Sequence, residues 1–497
     1  MNKQYIGILF WVLFPMMSIN SQEKNPNTFS LEDVIRIASD SSLTAFRSKN
    51  MYLASYWEYR SFLAGRRPNI MLNTTPFDYN RALVKRYDFI QNIDIYRQQQ
   101  LINSDVNFAI NQNFTPSGGS FFVMSDLGRL QNINTKTPND YSIMPVSIGF
   151  TQPLFGFNKF RWERKIEPLK FELAKRSLLS SIEEISISAV DNFFSLAAAQ
   201  MQLQLAVRNL ANADTLYQYG KQRFEIAAIT QIDLFSLRLD YINAKNTMDN
   251  ANKDLKLSNS ALKSFMTMKG VELLNLNIPA QIPVLLIDAD DAYTKSLSNN
   301  PDILSFEQQK LEVARDVDKA KKDSRFSANL SASYGLNKND STLNSITSNL
   351  LNQQNVKVTL SIPILDWGQR KGLYNLARKQ AEVKLATVKQ SEIDFEQDVK
   401  NTVNNFNIQR KIIASAAEAD TLARLTYDMT KQRFLIGKSD INSLNLARTR
   451  QDQAQLNYIN ELKKYWSYYY KIRKLTLFDY EKQKAIELKE MNKRNEE

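Results

Sequence analysis

The chain has 497 residues, a net charge of +12 from 64 Lys and Arg against 52 Asp and Glu, and no cysteine or histidine. It therefore cannot build a Ser-His-Asp triad, a Cys-His pair, a thiolate zinc site, an imidazole metal site or a disulfide. These exclusions argue against an enzyme and against a bound metal or cofactor. Basic and acidic residues are interspersed along the predicted helices, which indicates a solvated surface and predicts no nucleic-acid partner.

The first 21 residues have the pattern of a secretory signal peptide. Lys3 precedes an apolar run from Ile6 to Ile19, and the small residue Ser21 stands before a polar segment. The run is shorter than the roughly 18 residues that a membrane-spanning helix needs. A signal peptide that is removed on export is therefore favoured over a membrane anchor.

A helix and a strand open the mature chain. Ser30, followed by an acidic pair, has the character of a helix N-cap, and the predicted helix runs to about Gly65. Pro68 ends it. From about residue 68 to 76 apolar and polar residues alternate, which predicts a strand.

A long connection, from about Phe77 to Tyr141, follows this strand. It contains two more alternating pieces within about 105–125, joined by the turn segment Thr115–Ser120, and this combination predicts a hairpin. We expect the hairpin to stand outside the wall that the other strands form.

A second strand, at about 142–151, leads through Pro153 into a segment almost free of helix breakers. Apolar residues follow one another there at alternating spacings of three and four, as in a coiled coil. We expect a helical hairpin over 158–268, whose first helix of about 67 residues would be about 100 Å long.

The same unit occurs twice. At an offset of 210 positions, Pro153–Gly156 falls on Pro363–Asp366, and Lys221–Phe224 falls on Lys431–Phe434 without a gap. The first strands of the two copies are instead 258 positions apart, so the first copy has about 48 additional residues. Such self-similarity indicates a duplicated structural unit.

The duplication divides the chain into four parts. They are a signal peptide (1–21), a first repeat (22–288), a second repeat (289–475) with strands at about 326–335 and 356–365 and a helical hairpin over 368–475, and a C-terminal tail (476–497). The strands have one apolar and one small, polar side, which suits lipid on one face and water on the other. Four strands leave open edges and cannot enclose a useful lumen, so we expect the chain to oligomerise.

These features resemble the TolC-like outer-membrane efflux family, the outer membrane factors, over about residues 30–480. The resemblance rests on the duplication, on two strand-proline-helix junctions and on two helix-tip turns. The junctions are Gln152–Phe155 and Ile362–Leu365, and the turns are Arg223–Asp233 and Arg433–Ile441. The chain departs from the family at Ala227-Ala228, where a glycine is usual, and in its inserted hairpin.

The resemblance implies an α+β membrane protein. It would be a homotrimer in which each chain gives four strands to a twelve-stranded transmembrane β-barrel, continued by a periplasmic α-helical, coiled-coil barrel. The implied function is the outer-membrane channel of a tripartite efflux or type I secretion system, a passive conduit from the periplasm to the exterior. The implied location is the cell outer membrane, with a large periplasmic portion. Implied partners are outer-membrane lipid, a periplasmic adaptor (membrane fusion protein) and, through it, an inner-membrane RND or ABC transporter.

The implied adaptor contacts lie at the two helix tips. They are Arg223, Phe224, Ile226, Thr230, Asp233, Arg433, Phe434, Ile436, Gly437, Ser439 and Asp440. Asp233 and Asp440 are also candidate gate residues, because threefold symmetry would turn each into a ring of carboxylates. The alternative interpretation is that both are exposed helix caps.

A second class of protein remains open, namely a periplasmic coiled-coil adaptor or a structural envelope protein without a channel. An adaptor would place one helical hairpin between β-rich flanks. Here two hairpins each follow a pair of alternating strands, which favours the channel.

Overall fold

A computed structural model describes residues 28–133, 139–270, 273–279, 282–343, 345–436 and 438–488. The predicted signal peptide and residues 489–497 of the tail lie outside these ranges. The chain divides into two units. The first comprises Met1–Ala38 and Ala189–Ile282, and the second comprises Ser39–Ser188 and Pro283–Glu497.

Helices and strands follow one another in this order. They are β1 (Thr28–Ser30), α1 (Leu31–Ser41), α2 (Leu43–Ala64), β2 (Asn69–Asp88), β3 (Ile93–Phe114), β4 (Gly119–Asn132), β5 (Asn139–Pro153), α3 (Lys159–Glu225), α4 (Gln231–Phe265), β6 (Asn275–Asn277), α5 (Ala289–Asn299), α6 (Pro301–Asp323), β7 (Ser327–Asp340), β8 (Leu351–Ser361), α7 (Gln369–Leu435), α8 (Ile441–Thr476), β9 (Phe478–Asp479) and β10 (Lys484–Ala485).

The helix bounds keep both offsets seen in the sequence. Helices α3 and α7 each have 67 residues and begin and end 210 positions apart. Helices α1 and α5 are 258 positions apart at both ends. Elements before the insertion therefore lie 258 positions from their copies, and elements after it lie 210 positions from theirs.

The helix expected from Ser30 to about Gly65 is two helices, because the chain breaks at Ser42. The Ser42 side chain accepts a hydrogen bond from the Ala45 amide (3.1 Å) and so begins α2. Asn300 has the same role before α6, where its side chain accepts from the Asp302 amide at 2.7 Å. Both residues are N-caps, which give the second helix a new start.

A six-stranded antiparallel sheet lies within the second unit, in the order β2-β3-β4-β5-β7-β8. The expected hairpin is therefore not outside the wall of strands: β3 and β4 lie between β2 and β5. Four strands per chain were expected, and the sheet contains six. An alternating pattern predicts a strand but does not identify its neighbours, which is why the position of the hairpin was wrong.

The two sides of this sheet differ in polarity, as two cross-strand rows of five strands each show. Direct cross-strand partners form an apolar row, namely Ile70, Ile110, Val123, Ile148 and Tyr334. On the opposite side a polar row crosses five strands, namely Asn113, Ser120, Thr151, Ser331 and Lys357. Four members of the apolar row are exposed, Ile70 at 63% and Ile148 at 56%, and Ile110 is half-buried.

Aromatic residues near the end of α8 form the core of the second unit. Tyr465 is 1% exposed, its ring centroid lies 4.9 Å from that of Phe406, and its hydroxyl donates to the Pro283 carbonyl at 3.0 Å. Burial raises the pKa of Tyr465 to about 12. The Tyr465–Tyr470 run is thus packing between helices and the adjoining chain.

Among the described helices, none combines the length and the apolar composition that crossing a bilayer would require.

Candidate functional site: the two helix tips

The first tip joins α3 to α4 through a tight turn. The Ala228 amide donates to the Arg223 carbonyl (2.8 Å) and the Ala227 amide to the Phe224 carbonyl (2.9 Å), which closes the last turn of α3. Ala227 has φ 57°, in the left-handed region. A residue with a Cβ is strained there by roughly 1–2 kcal/mol, so this position suits glycine, which is the residue at the equivalent position 437 of the second copy.

A capping box begins α4. The Thr230 hydroxyl oxygen accepts from the Asp233 amide (3.2 Å), and the Asp233 carboxylate accepts from the Thr230 amide (3.0 Å) and hydroxyl (2.7 Å). Two otherwise unpaired amides of the helix end are satisfied in this way. The sequence gives the cause, since Thr230 and the acidic Asp233 stand three positions apart at the start of the helix.

The second tip repeats the turn. The Lys438 amide donates to the Arg433 carbonyl at 2.8 Å, which is the first tip's hydrogen bond moved by 210 positions. Gly437 lies outside the described residues. Asp440 begins α8, and its carboxylate accepts from the amide and the hydroxyl of Ser443, each at 2.8 Å.

The two candidate gate residues are not equivalent by the duplication. Thr230 corresponds to Asp440, and Asp233 corresponds to Ser443, so the acidic and hydroxyl partners of the cap have exchanged places. Sequence reasoning paired the two aspartates because both follow a tip turn. The sequence does contain a signal that separates their roles: the hydroxyl residue Thr230 stands three positions before Asp233, whereas Ser443 stands three positions after Asp440.

Both carboxylates are exposed, and both are held ionised by their caps. The hydrogen bonds from Thr230 lower the pKa of Asp233, and those from Ser443 lower the pKa of Asp440. Each tip therefore carries a fixed negative charge at neutral pH. Each charge also lies at a helix N-terminus, where the helix dipole favours it.

The other predicted contact residues surround these turns. Ile226 and Ile436 are well exposed, at 76% and 66%. Phe224 is 40% exposed, and the guanidinium of Arg223 lies 5.2 Å from the centre of the Tyr219 ring. On the second tip Arg433 is exposed, whereas Phe434 and Ser439 are half-buried. In each tip, apolar side chains thus adjoin a basic and an acidic residue.

The junction prolines lie at the other end of the long helices. Pro153 is the last residue of β5 and pairs with Asn329, and the next amide, that of Leu154, donates to the Ala328 carbonyl at 2.8 Å. Pro363 follows the end of β8 by two residues. Each proline thus stands where the sheet ladder ends.

Sequence reasoning missed an exposed apolar stripe on α4. Its members follow a spacing of three, four and three and are 44–76% exposed; they are Ile232, Phe235, Leu239 and Ile242. A comparable exposed group on α7 consists of Leu422, Leu425 and Met429. The coiled-coil spacing predicted an internal seam along the first helix of each hairpin, whereas this stripe lies on the second helix and is exposed.

A buried ionic cluster fixes the other end of α8. Arg473 binds Glu183 through two hydrogen bonds of 2.9 Å and Asp479 through one of 2.7 Å. Glu183 and Asp479 are 2% and 4% exposed, and the Tyr469 hydroxyl donates to Asp479 at 3.1 Å. Although burial alone would lower the pKa of Arg473, its bonds with Glu183 raise it. The second unit therefore holds α3, α8 and the tail together through fully paired charges.

The fold is that of outer-membrane channels. The chain is similar to the Campylobacter jejuni CmeC outer membrane channel, with 14% identity, a TM-score of 0.62 and coverage of 96% of this chain and 94% of CmeC. It is 13% identical to the outer membrane protein VceC from Vibrio cholerae, with a TM-score of 0.62 over 90% of this chain and 95% of VceC. It is 14% identical to the outer-membrane channel OprN, with a TM-score of 0.64 over 90% of this chain and 89% of OprN.

The family model for outer membrane efflux proteins matches residues 121–266 and 292–476. The chain belongs to the outer membrane efflux protein family, which confirms the resemblance drawn from its duplicated motifs, and its function is outer-membrane efflux. No curated protein matches it significantly in sequence.

Proposed function

We propose that three copies of this chain form the outer-membrane channel of a tripartite efflux or type I secretion system, a passive conduit from the periplasm to the exterior. One observation carries the proposal most directly. The six-stranded sheet has an exposed apolar face, a polar opposite face and two unpaired edges, and it continues into helices of 67 residues. The apolar face suits contact with lipid, and the polar face suits a water-filled lumen.

The open edges support association with further copies. Every residue of β8 is exposed, and so are 18 of the 20 residues of β2. An edge strand with unpaired amides and carbonyls is a template for pairing with another chain. In the proposed trimer these edges close a transmembrane β-barrel. The apolar stripe on α4 and the apolar group on α7 pack against neighbouring helices in a periplasmic tunnel, which places a large part of each chain in the periplasm.

The proposed partner at the tips is a periplasmic adaptor, bound in turn to an inner-membrane RND or ABC transporter. The exposed Ile226 and Ile436 are apolar anchors, and the charges beside them give orientation, which is the usual division of roles in an interface. Asp233 and Asp440 are proposed to form carboxylate rings that narrow the closed tunnel. The family match does not favour the alternative of an adaptor or a structural envelope protein without a channel.

Localisation, oligomeric state and conductance test the channel itself. We expect the mature protein in the detergent-extracted outer membrane as a trimer that forms channels in planar bilayers. A detergent-independent monomer in the soluble periplasm would contradict the proposal.

Cross-linking tests the docking at the tips. Because the chain has no cysteine, Ile226→Cys introduces a unique attachment point for a photo-reactive cross-linker. We expect this variant to capture an adaptor in intact cells. Lys253→Cys, on the exposed side of α4 away from the tip, is the matched control and should capture none. Equal capture by the two variants would contradict tip docking.

Channel recordings test the gate. Asp440→Asn keeps an N-cap, since Asn caps about as well as Asp, but removes the charge. We expect cation preference to fall and the cap to stay intact. Unchanged conductance and unchanged ion preference would exclude Asp440 from the gate.

A further inference from the structure

We propose that the inserted hairpin, β3 and β4, is part of the membrane-spanning wall, so that each chain contributes six strands and three copies close an eighteen-stranded barrel. This inference rests on the proposed trimeric channel and changes its dimensions. The resemblance drawn from the sequence implied twelve strands, four from each chain.

The inserted strands are hydrogen-bonded into the sheet on both sides. Strand β3 pairs with β2 from Asn69↔Asn111 to Asp88↔Ile93, and β4 pairs with β5 from Ser120↔Thr151 to Gln131↔Asn139. With 22 and 14 residues, both exceed the about 9–11 residues that a tilted strand needs to cross a bilayer. The insertion thus has the length and the pairing of a full pair of wall strands.

The polarity of the inserted strands is in phase with that of their neighbours. In the apolar row, Ile110 and Val123 stand between Ile70 and Ile148. In the polar row, Asn113 and Ser120 continue Thr151. A hairpin outside the wall would have no reason to keep lipid-facing and lumen-facing residues in register, because a slip of one residue reverses the sides.

The turn of the hairpin is attached where the sheet meets the helices. The Asn158 side-chain amide, just before α3, donates to the carbonyls of Thr115 and Pro116, each at 3.1 Å. The Gln112 side-chain amide donates to the Arg66 carbonyl, just after α2, at 3.0 Å. Gly118 has φ +81°, and a Cβ there would lie 3.0 Å from Asn158 Cγ. The turn therefore lies beside both helix-strand junctions. Strands β3 and β4 thus reach the same end of the sheet as β2 and β5.

The occupant of each open edge is a second copy of this chain. The six strands alternate in direction, so β2 and β8 run antiparallel to each other. When β2 of one copy meets β8 of the next, the alternation continues across the interface without a parallel pair. An even number of strands per chain is what this closure requires, and adding a whole hairpin preserves it.

The additional strands widen the barrel without adding helices. With strands about 4.8 Å apart and tilted by about 40°, eighteen strands give a backbone radius of about 18 Å, compared with about 12 Å for twelve. Barrels of this strand number leave an aqueous channel. The insertion adds two strands to the barrel wall but no helix to the tunnel below it. The turn at Thr115–Gly118 then fills the gap that this leaves between α2 and α3.

Disulfide mapping in the outer membrane distinguishes the two strand numbers, since the chain has no cysteine of its own. The duplication supplies the matched pairs. Ser331 pairs with Lys357 in the second copy, and the offsets of 258 and 210 place Asn73 opposite Ser147 in a four-strand arrangement. In the six-strand sheet Asn73 instead pairs with Asn107.

The expected results follow from distance. Ser331→Cys/Lys357→Cys, the positive control, and Asn73→Cys/Asn107→Cys should form disulfides. Asn73→Cys/Ser147→Cys should form none, because three strand spacings, about 14 Å, exceed the roughly 7 Å between Cα atoms that a disulfide tolerates. If the positive control links and Asn73→Cys/Asn107→Cys does not, the inference is overturned, whether or not Asn73→Cys/Ser147→Cys links.

Electron cryo-microscopy of the trimer counts the strands directly. Eighteen strands are expected around the ring, and twelve would overturn the inference while leaving the trimeric channel intact. A protein that is neither trimeric nor located in the outer membrane would instead contradict the proposed function, whatever the disulfide pattern. The two failures are thus separable.

Discussion

The two ends of α8 differ in how they are held. At its first turn Asp440, Asn442 and Ser443 are exposed, and hydrogen bonds between Asp440 and Ser443 cap the helix. Its last turns contain buried aromatic residues and Arg473, which is paired with Glu183 and Asp479. One continuous helix thus joins an end fixed by local capping to an end fixed by tertiary packing.

This difference suggests a division of function along the helix. Regions with few buried contacts open at low cost in free energy, whereas buried, fully paired regions open only with the whole structure. In the proposed channel, a tip that opens while the rest of the wall stays sealed would need both properties. The first tip has the same character, since its turn depends on a capping box and a strained alanine.

The largest effect is expected from removing the buried guanidinium. Arg473→Ala leaves Glu183 and Asp479 buried and unpaired, which should cost about 3–5 kcal/mol in the free energy of unfolding. Denaturant unfolding of the detergent-solubilised protein measures the loss. Lys474→Ala is the control: it breaks the neighbouring pair with Glu184 (2.7 Å), which is partly exposed and worth under about 1 kcal/mol. Equal losses in the two variants would refute the claim that buried, paired charges fix this end of α8.

A smaller effect is expected from acid. Although burial alone would raise the pKa of Asp479, the Lys482 amide and the Arg473 charge lower it. Its contribution to stability is therefore fully present above the ordinary carboxyl pKa of about 4, and it is lost as the pH falls through the lowered value. Melting temperatures between pH 7 and pH 2 should show this loss below about pH 4, and Asp479→Asn should reduce it. An undiminished acid transition in that variant would assign the loss to other carboxyl groups.

At the first tip, Thr230→Ala removes the N-cap of α4. We expect a loss of about 1 kcal/mol, because the Asp233 amide loses the hydroxyl oxygen that accepts its hydrogen bond. Hydrogen exchange should show faster exchange confined to the first turn of α4, with little change in α8. Thr230→Ser, which keeps the hydroxyl, is the matched control. Faster exchange throughout the hairpin would show that the tip is not a local unit.

The smallest effect is a gain, not a loss, in the free energy of unfolding. Ala227→Gly removes the left-handed strain of roughly 1–2 kcal/mol but gives the unfolded chain more freedom, so a net gain of about 0.5 kcal/mol is expected. Ala228→Gly, which does not relieve left-handed strain, should destabilise instead. Thermal unfolding of the two variants gives the comparison. A destabilising Ala227→Gly would mean that the turn has another conformation.

Much of the fold was predictable because duplication leaves a record in the sequence. The 210 offset located α3 and α7, and the 258 offset located the first strands and the extent of the insertion. The helix break at Ser42 was not expected, since a serine capping the second of two helices resembles one inside a single helix. The position of β3 and β4 could not be read from the sequence either, because neighbours in a sheet are set by hydrogen bonds between distant segments.

The tips were predictable in place but not in detail. Residue spacing located both turns, and the resemblance supplied their role. It did not reveal that Asp233 corresponds to Ser443 rather than to Asp440, or that Ile232 and Phe235 are exposed. The first feature follows from the 210 offset itself. The second depends on which side of α4 packs inward, and one amphipathic pattern is compatible with more than one packing.

The first hairpin of the sheet extends well past its neighbours. Pairing between β3 and β4 begins at Leu101, so residues 81–88 and 93–100 form a two-stranded ribbon with no third strand beside it among the described residues. Eight residue pairs correspond to about 27 Å. In a channel of the proposed orientation, this ribbon would project from the cell surface, three to each assembly, with Phe89 and Ile90 bare at its end. An epitope tag placed between Gln91 and Asn92 would then be accessible to antibody on intact bacteria.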